Sequence, residues 1–346
     1  HSVKQPKPED EFEKLFRKAA KAPAEIKRGH FTRFAHDKVL VVRDGDKATK
    51  VLTGSTNFSV TGFYVNSNHV LVFDDTGIAG TYAEVFDQVW KSDVKRAAFA
   101  ESKLANEPSN FPKPPMQITF APHDEAMAKA ILDGIVARIE QERRGGNVLF
   151  AVMSLDNKGK SPVWEELREI HRDDSVFSFG ISDTPEGIAL YEPRRKSGVL
   201  VTGKPVRTQL PKPFNQVPNI GLGHQIHHKF VVCGFNSDNP VVYCGSSNLA
   251  LGGEQENGDN LLEIHDPDVV TAFAIEALAL VDHFQFLDRT QQAARRKPKA
   301  RAKPSEPSRV GAAEDAGWFL STSGRWADKY FDRSDLHDVD RRLFAS

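Results

Sequence analysis

Apolar positions along the chain follow two periods. Val39 to Val42 form one apolar run and a second run ends at Thr53. Between them stands Arg43-Asp44-Gly45-Asp46, and Asp-Gly between apolar runs predicts a hairpin. Val70 to Phe73 predicts a third, buried strand, and Thr76 to about Trp90 a capped helix. Upstream, Asp10 to Lys21 has helical spacing, with Phe12, Leu15 and Phe16 on one side. Downstream the pattern alternates: strand at Gln117 to Ala121, amphipathic helix from Asp124 to about Arg144, strand at Val148 to Leu155, helix at Pro162 to Arg172, strand at Val176 to Ile181. Strands separated by helices predict parallel β-α-β units. Lys229 to Cys233 and Pro240 to Cys244 predict a second hairpin, Leu261 to Ile264 another strand, and Pro267 to about Leu287 a closing helix.

These elements predict an α/β protein of two lobes, residues 1–100 and 117–288. The polar, proline-punctuated stretch 101–116 reads as their linker. Residues 183–223, rich in Pro and Gly, read as surface excursions near the site. Residues 289–312 read as a basic flexible linker, with Arg295, Arg296, Lys297, Lys299, Arg301 and Lys303 close together. Residues 313–346, with Trp318, Phe319, Trp326, Tyr330, Phe331 and Phe344, read as a tail docking on the body.

The two hairpins belong to copies of one pattern. His36-Asp37-Lys38 is followed by Gly54-Ser55-Thr56-Asn57, and His227-His228-Lys229 by Gly245-Ser246-Ser247-Asn248. The differences 227−36, 229−38, 245−54 and 248−57 all equal 191, and Gly62/Gly253 and Asn66/Asn257 keep that offset. A match at so many points without a slip predicts an internal duplication. The second copy starts near Gln117, 110 residues before its His (227−117), whereas only 35 precede His36 (36−1). Equal copies would leave roughly 75 residues of the first lobe unaccounted for.

His and Lys two apart on a strand point to one face, and the residue between them points away. Each copy then presents an imidazole and an ammonium together, with Gly allowing a tight path and Ser and Asn beside that face. If the lobes face each other about a pseudo-twofold, two His, two Lys and two Asn converge. Donors with no carboxylate on the reacting face suit a multi-oxygen anion, most naturally a phosphate diester. One His attacks phosphorus; the other protonates the leaving oxygen and then activates water. Lys, Asn and Ser supply the charge stabilisation, so no metal or cofactor is required.

With both motifs complete, the chain resembles the phospholipase D superfamily from about residue 30 to 288. The resemblance implies a duplicated α/β sandwich with the site at the lobe interface and a covalent phosphohistidine. Carried over by position, His36, Lys38 and Asn57 form one catalytic half-site and His227, Lys229 and Asn248 the other, with Ser55, Ser246 and Asp259 on the substrate side. Asp259 and Asn68 stand where relatives often place an acid, which could orient a catalytic His through its other ring nitrogen. Arg43 and Gly234 occupy the place of the family's usual Asp five residues after Lys. The near-symmetric copies leave the nucleophile undecided between His36 and His227, and analogy leans to His36.

The remaining features exclude little. A net charge of −1 gives no global field toward nucleic acid or membrane. Cys233 and Cys244, the two cysteines, read as small buried hydrophobes. His224, His227 and His228 invite a metal reading, which strand alternation opposes. Arg194, Arg195 and Lys196 could meet a phosphate-bearing substrate or be a solvated loop. Three functions remain: a phospholipid hydrolase or transferase, which the reading favours; a metal-independent nuclease; and a catalytically silent scaffold. Both half-sites lie in one chain, so no dimer is required.

Overall fold

The computed structural model describes residues 7–155, 161–184, 187–192, 199–201, 225–295 and 324–344. The chain opens on α1 (Pro8–Ala19), then β1 (Leu40–Asp44), β2 (Lys47–Gly54), α2 (Val60–Tyr64), β3 (Val70–Phe73), α3 (Thr76–Lys91), α4 (Arg96–Ala100) and α5 (Lys103–Asn106). It continues with β4 (Ser109–Pro112), β5 (Pro115–Ala121), α6 (Glu125–Gln141), β6 (Asn147–Val152), α7 (Pro162–Ile170), β7 (Phe177–Thr184), β8 (Gly187–Tyr191) and β9 (Val199–Val201). Then come β10 (Lys229–Cys233), β11 (Val241–Gly245), α8 (Leu251–Glu256), β12 (Asp259–Ile264), α9 (Pro267–Arg295) and α10 (Leu336–Phe344). Among the described residues the strands make two sheets, β1-β2-β3 and β4-β5-β12-β11-β10-β6-β7-β8-β9.

Local chemistry sets the helix starts. Asp75 caps α3 by accepting from the Gly77 and Ile78 amides, Asp124 caps α6 through Met127, and Ser161 caps α7 through Trp164 ahead of Pro162. Both hairpins are antiparallel, Leu40 facing Leu52 and Val231 facing Tyr243. β6 and β7 are the parallel pair, joined through α7.

The two sheets differ in cover. Val231, Cys233, Val241, Tyr243 and Leu261 on one face of the larger sheet pack in a cluster with Leu132, Ile135 and Ile139 of α6 and with Trp164 and Leu167 of α7. In the small sheet, α3 covers one face, with its Ile78, Ala79 and Tyr82 in one buried cluster with Val51 of β2. Its other face leaves Leu40, Val42, Val70 and Val72 exposed. The expected buried strand at Val70–Phe73 is therefore half-exposed, because no described helix covers that face.

Other expectations change with it. The supposed linker 101–116 carries α5 and the edge strand β4, whose Ser109, Asn110 and Phe111 pair with Ile118, Gln117 and Met116. Part of 183–223 is not an excursion: β8 pairs with β7 and Ile188, Leu190 and Tyr191 are buried. Helix α9 runs on to Arg295, into the stretch expected to be a linker. The tail forms a 3-10 turn (Gly324–Tyr330) and α10. His224, Arg194 to Lys196, Trp318, Phe319 and the basic run beyond 295 lie outside the described residues.

Candidate active site

The segments Phe34–Lys38 and Gln225–Lys229 lead into β1 and β10 rather than lying within them; only Lys229 is in a strand. Each runs beside a stretch that follows the other motif. Ala35 bridges Gly258 and Ile226 bridges Ser67, both parallel. The His36 amide donates to the Gly258 carbonyl (2.8 Å) and the Gly258 amide to Phe34 (2.8 Å). The His227 amide donates to Ser67 (3.0 Å) and the Ser67 amide to Gln225 (2.8 Å). Each contact maps onto its twin by the same offset (226−35, 258−67 and 225−34 are all 191).

Glycine then brings the motif tails close to the next strand. Gly54 (φ 143°) and Gly245 (φ 136°) sit where a Cβ would lie 2.3 Å from the His69 carbonyl oxygen and 2.5 Å from that of Asn260. The close approach lets Ser55 and Ser246 each lock two strands. Their amides donate to the His69 and Asn260 carbonyls (3.1 Å each), and their hydroxyls accept from the His69 and Asn260 amides (3.0 Å each). The hydroxyls themselves donate onward, Ser55 to Asn68 Oδ1 (3.1 Å) and Ser246 to Asp259 Oδ1 (2.7 Å).

Those two acceptors hold the histidines. His36 Nδ1 lies 2.7 Å from Asp259 Oδ1, and His227 Nδ1 2.9 Å from Asn68 Oδ1. Asn68 Nδ2 is spent on the Gly62 carbonyl (2.9 Å), so its oxygen faces the ring and His227 carries its proton on Nδ1. Its Nε2 is left with a lone pair. Burial, together with the nearby Lys229 and Lys38 ammoniums, pushes His227 down to about 3, so this ring is neutral at pH 7. Asp259 is 1% exposed and also accepts from Asn257 Nδ2 (3.1 Å).

The two lysines are buried behind the rings. Lys229 Nζ donates to the His227 carbonyl (2.9 Å), and Lys38 Nζ to the His36 carbonyl. Burial lowers Lys38 to about 8 against the pull of Asp259 and Asp37, and burial with the neighbouring Lys38 takes Lys229 well below its ordinary value. Half-buried Asp37 is pushed up to about 7 by desolvation and the Asp259 charge.

A cavity of about 600 Å³ opens beside this centre. His36, Lys229 and Asn248 line it, and Phe34, Val152, Met153, Trp164, Ala250 and Leu251 give it an apolar wall. Trp164 Nε1 donates to the Asn248 carbonyl (3.1 Å), and Asn248 Oδ1 is buried with no hydrogen-bond partner. Lys38, Ser55, Ser246 and Asp259 are not among its lining residues, and His227 adjoins it through Lys229, whose Nζ lies 3.4 Å from His227 Nε2. Asn57 is exposed and does not line the cavity. A larger cleft of about 930 Å³, between α3 and α5, contains no motif residue.

The sequence motifs name the histidines, lysines, serines and Asp259 but not Asn260, His69, Glu276 or Trp164, which the structure places beside them. The first two were legible as the residues following Asp259 and Asn68 at the same offset. Glu276 and Trp164 come from helices with no sequence tie to the motif. His227 and His228 turn to different partners, His228 to His69 and Glu276.

A family model described as cardiolipin synthase, phospholipase D-like domain, matches residues 2–90. The mitochondrial cardiolipin hydrolase of Xenopus laevis is 41% identical over 58 residues, 17% of this chain and 26% of that protein. The chain thus matches about a quarter of that relative's length. A solved polyphosphate kinase from Porphyromonas gingivalis is similar over 68% of this chain and 31% of its own, at 15% identity and a TM-score of 0.39. That family match spans the first motif, and the same motif recurs 191 positions on, so the chain is similar to the phospholipase D superfamily at both motifs.

Proposed function

We propose that the chain is a phosphodiesterase that opens a phospholipid phosphodiester through a covalent phosphohistidine, at one site between two lobes related by a pseudo-twofold. The observation that carries this reading is the meeting of His36, Lys229 and Asn248 on a cavity whose other wall is apolar. A phosphate group suits the donors, and the apolar wall suits the glycerol and acyl portion of a lipid. The name of the curated relative, a cardiolipin hydrolase, supports the same substrate class.

Roles follow from the two ring environments. His227, neutral and protonated on Nδ1, offers Nε2 as the nucleophile. His36, with a carboxylate at Nδ1, can hold the second proton that a general acid needs. This reverses the analogy's lean toward His36. In the first step the His227 Nε2 lone pair forms the N–P bond. The bond from phosphorus to the alcohol oxygen breaks, and that oxygen takes the proton from His36 Nε2. In the second step His36 removes a proton from water, whose oxygen bonds phosphorus as the N–P pair returns to His227. Lys38, Lys229 and Asn248 carry the developing negative charge on the phosphate.

Cardiolipin vesicles, phosphatidylcholine vesicles, and single- and double-stranded DNA, each incubated with the protein in EDTA, test the reading. Lipid hydrolysis without DNA cleavage is expected. DNA cleavage alone would replace the lipid substrate with nucleic acid, and lipid turnover that stops in EDTA would overturn the metal-free route.

A further inference from the structure

Between the His and Lys of each motif stands a residue that reaches into the other copy. Asp37 Oδ1 accepts from Asn260 Nδ2 at 2.7 Å. His228 Nδ1 lies 3.3 Å from His69 Nδ1. The positions correspond, since 228−37 and 260−69 both equal 191. One pair of positions is thus filled twice with different chemistry: carboxylate with amide on one side, two imidazoles on the other.

Each pair is built into its surroundings. Asn260 Oδ1 accepts from Thr53 Oγ1 (3.2 Å), and Ser246 Oγ stands 3.3 Å from Asp37 Oδ1. On the other side the Gly245 amide donates to His69 Nε2 (3.2 Å), so His69 carries its proton on Nδ1 and gives it to His228 Nδ1. His228 then has its proton on Nε2 and donates to Glu276 of α9 (3.1 Å). The rings stack at 5.6 Å and 9°, with Phe230 and Phe273 edge-on around them. His69 directly follows Asn68, the partner of His227, and Asn260 directly follows Asp259, the partner of His36.

We infer that Asp37–Asn260 and His69–His228 are positioning pairs that brace the two half-sites against each other and set the separation of His36 from His227. They touch no reacting atom and act through the backbone of their neighbours. The inference rests on His36 and His227 being the catalytic pair.

The first pair can be broken and rebuilt in place. Asn260→Asp sets a carboxylate against Asp37, with Asp259 adjacent; adding Asp37→Asn restores one amide and one carboxylate in reversed order, with the Thr53 hydroxyl still satisfied. Asn260→Asp is expected to lower kcat on the phospholipid vesicles by at least roughly tenfold with KM little changed, and Asp37→Asn/Asn260→Asp to recover most of that loss. On the other side His69→Leu, which removes the bonds to Gly245 and His228, is expected to lower kcat by a similar factor. Urea unfolding of the same variants reads the brace without any substrate: the midpoint should fall in Asn260→Asp and return in the double variant. A double variant no better than Asn260→Asp in both measurements overturns the pair. Midpoints that recover while kcat is the same in all variants overturn the positioning role. A wild-type protein inactive on every diester would sink the proposed function, and the unfolding midpoints would still decide the brace.

Discussion

His36 faces the carboxylate of Asp259 at 2.7 Å, whereas its counterpart His227 faces the amide oxygen of Asn68 at 2.9 Å. Two near-identical motifs thereby acquire unequal rings. Asp259→Asn keeps an acceptor but removes the charge, and kcat should fall roughly 10- to 100-fold. Asn68→Asp does the opposite to His227. A carboxylate there favours the imidazolium, so the pKa rises from about 3 and the neutral ring is lost at higher pH. The acid limb of kcat/KM against pH should move upward; an unmoved limb would remove His227 from the rate-limiting chemistry.

Covalent trapping separates the two histidines. Rapid acid-free quenching during turnover, followed by peptide mass spectrometry, should place phosphate on the peptide containing His227. Phosphate on His36 would reverse the assigned roles. His36→Ala and His227→Ala should each lower turnover by at least about 10³-fold.

Lys38 is held against its own solvation. Its folded value, about 8, lies below the ordinary 10.5, so the folded state disfavours the charged form. The linked stability is present above pH 10.5 and is lost as pH falls through 10.5 to about 8, below which the penalty is constant. Lys38→Met should therefore raise unfolding free energy at pH 7 by about 1–3 kcal/mol while removing activity. Urea titrations at pH 7 and pH 10 check this, since the gain should shrink at the higher pH.

Gly245→Ala should be costly in the other direction. Its φ of 136° is strained for any side chain, and the new Cβ would lie 2.5 Å from the Asn260 carbonyl. A loss of roughly 2–4 kcal/mol in urea unfolding is expected, with kcat falling as Asn260 and Asp259 shift. A loss below 1 kcal/mol would show that the loop relaxes.

Much of the fold was legible because hydrophobic period reports local structure directly. Both hairpins, α6 and the parallel β6-α7-β7 unit follow from it. The linker at 101–116 misread because Phe111 and Met116, spaced among prolines, look like loop until they pair on a sheet edge. The small sheet misread for the opposite reason: Val70-Leu71-Val72-Phe73 has the composition of a buried strand, but burial depends on what lies above it.

The sequence alone determined which residue types meet, since a constant offset of 191 names His36 with His227 and Lys38 with Lys229, and even the acceptors Asp259 and Asn68. Tertiary structure decided what each of them is. Burial beside two ammoniums makes His227 neutral, and an enclosed carboxylate gives His36 a charged partner. The cavity that Phe34 and Trp164 wall off gives the donors an apolar neighbour. Those properties depend on distance and solvent exclusion between residues some two hundred positions apart, which no local pattern encodes.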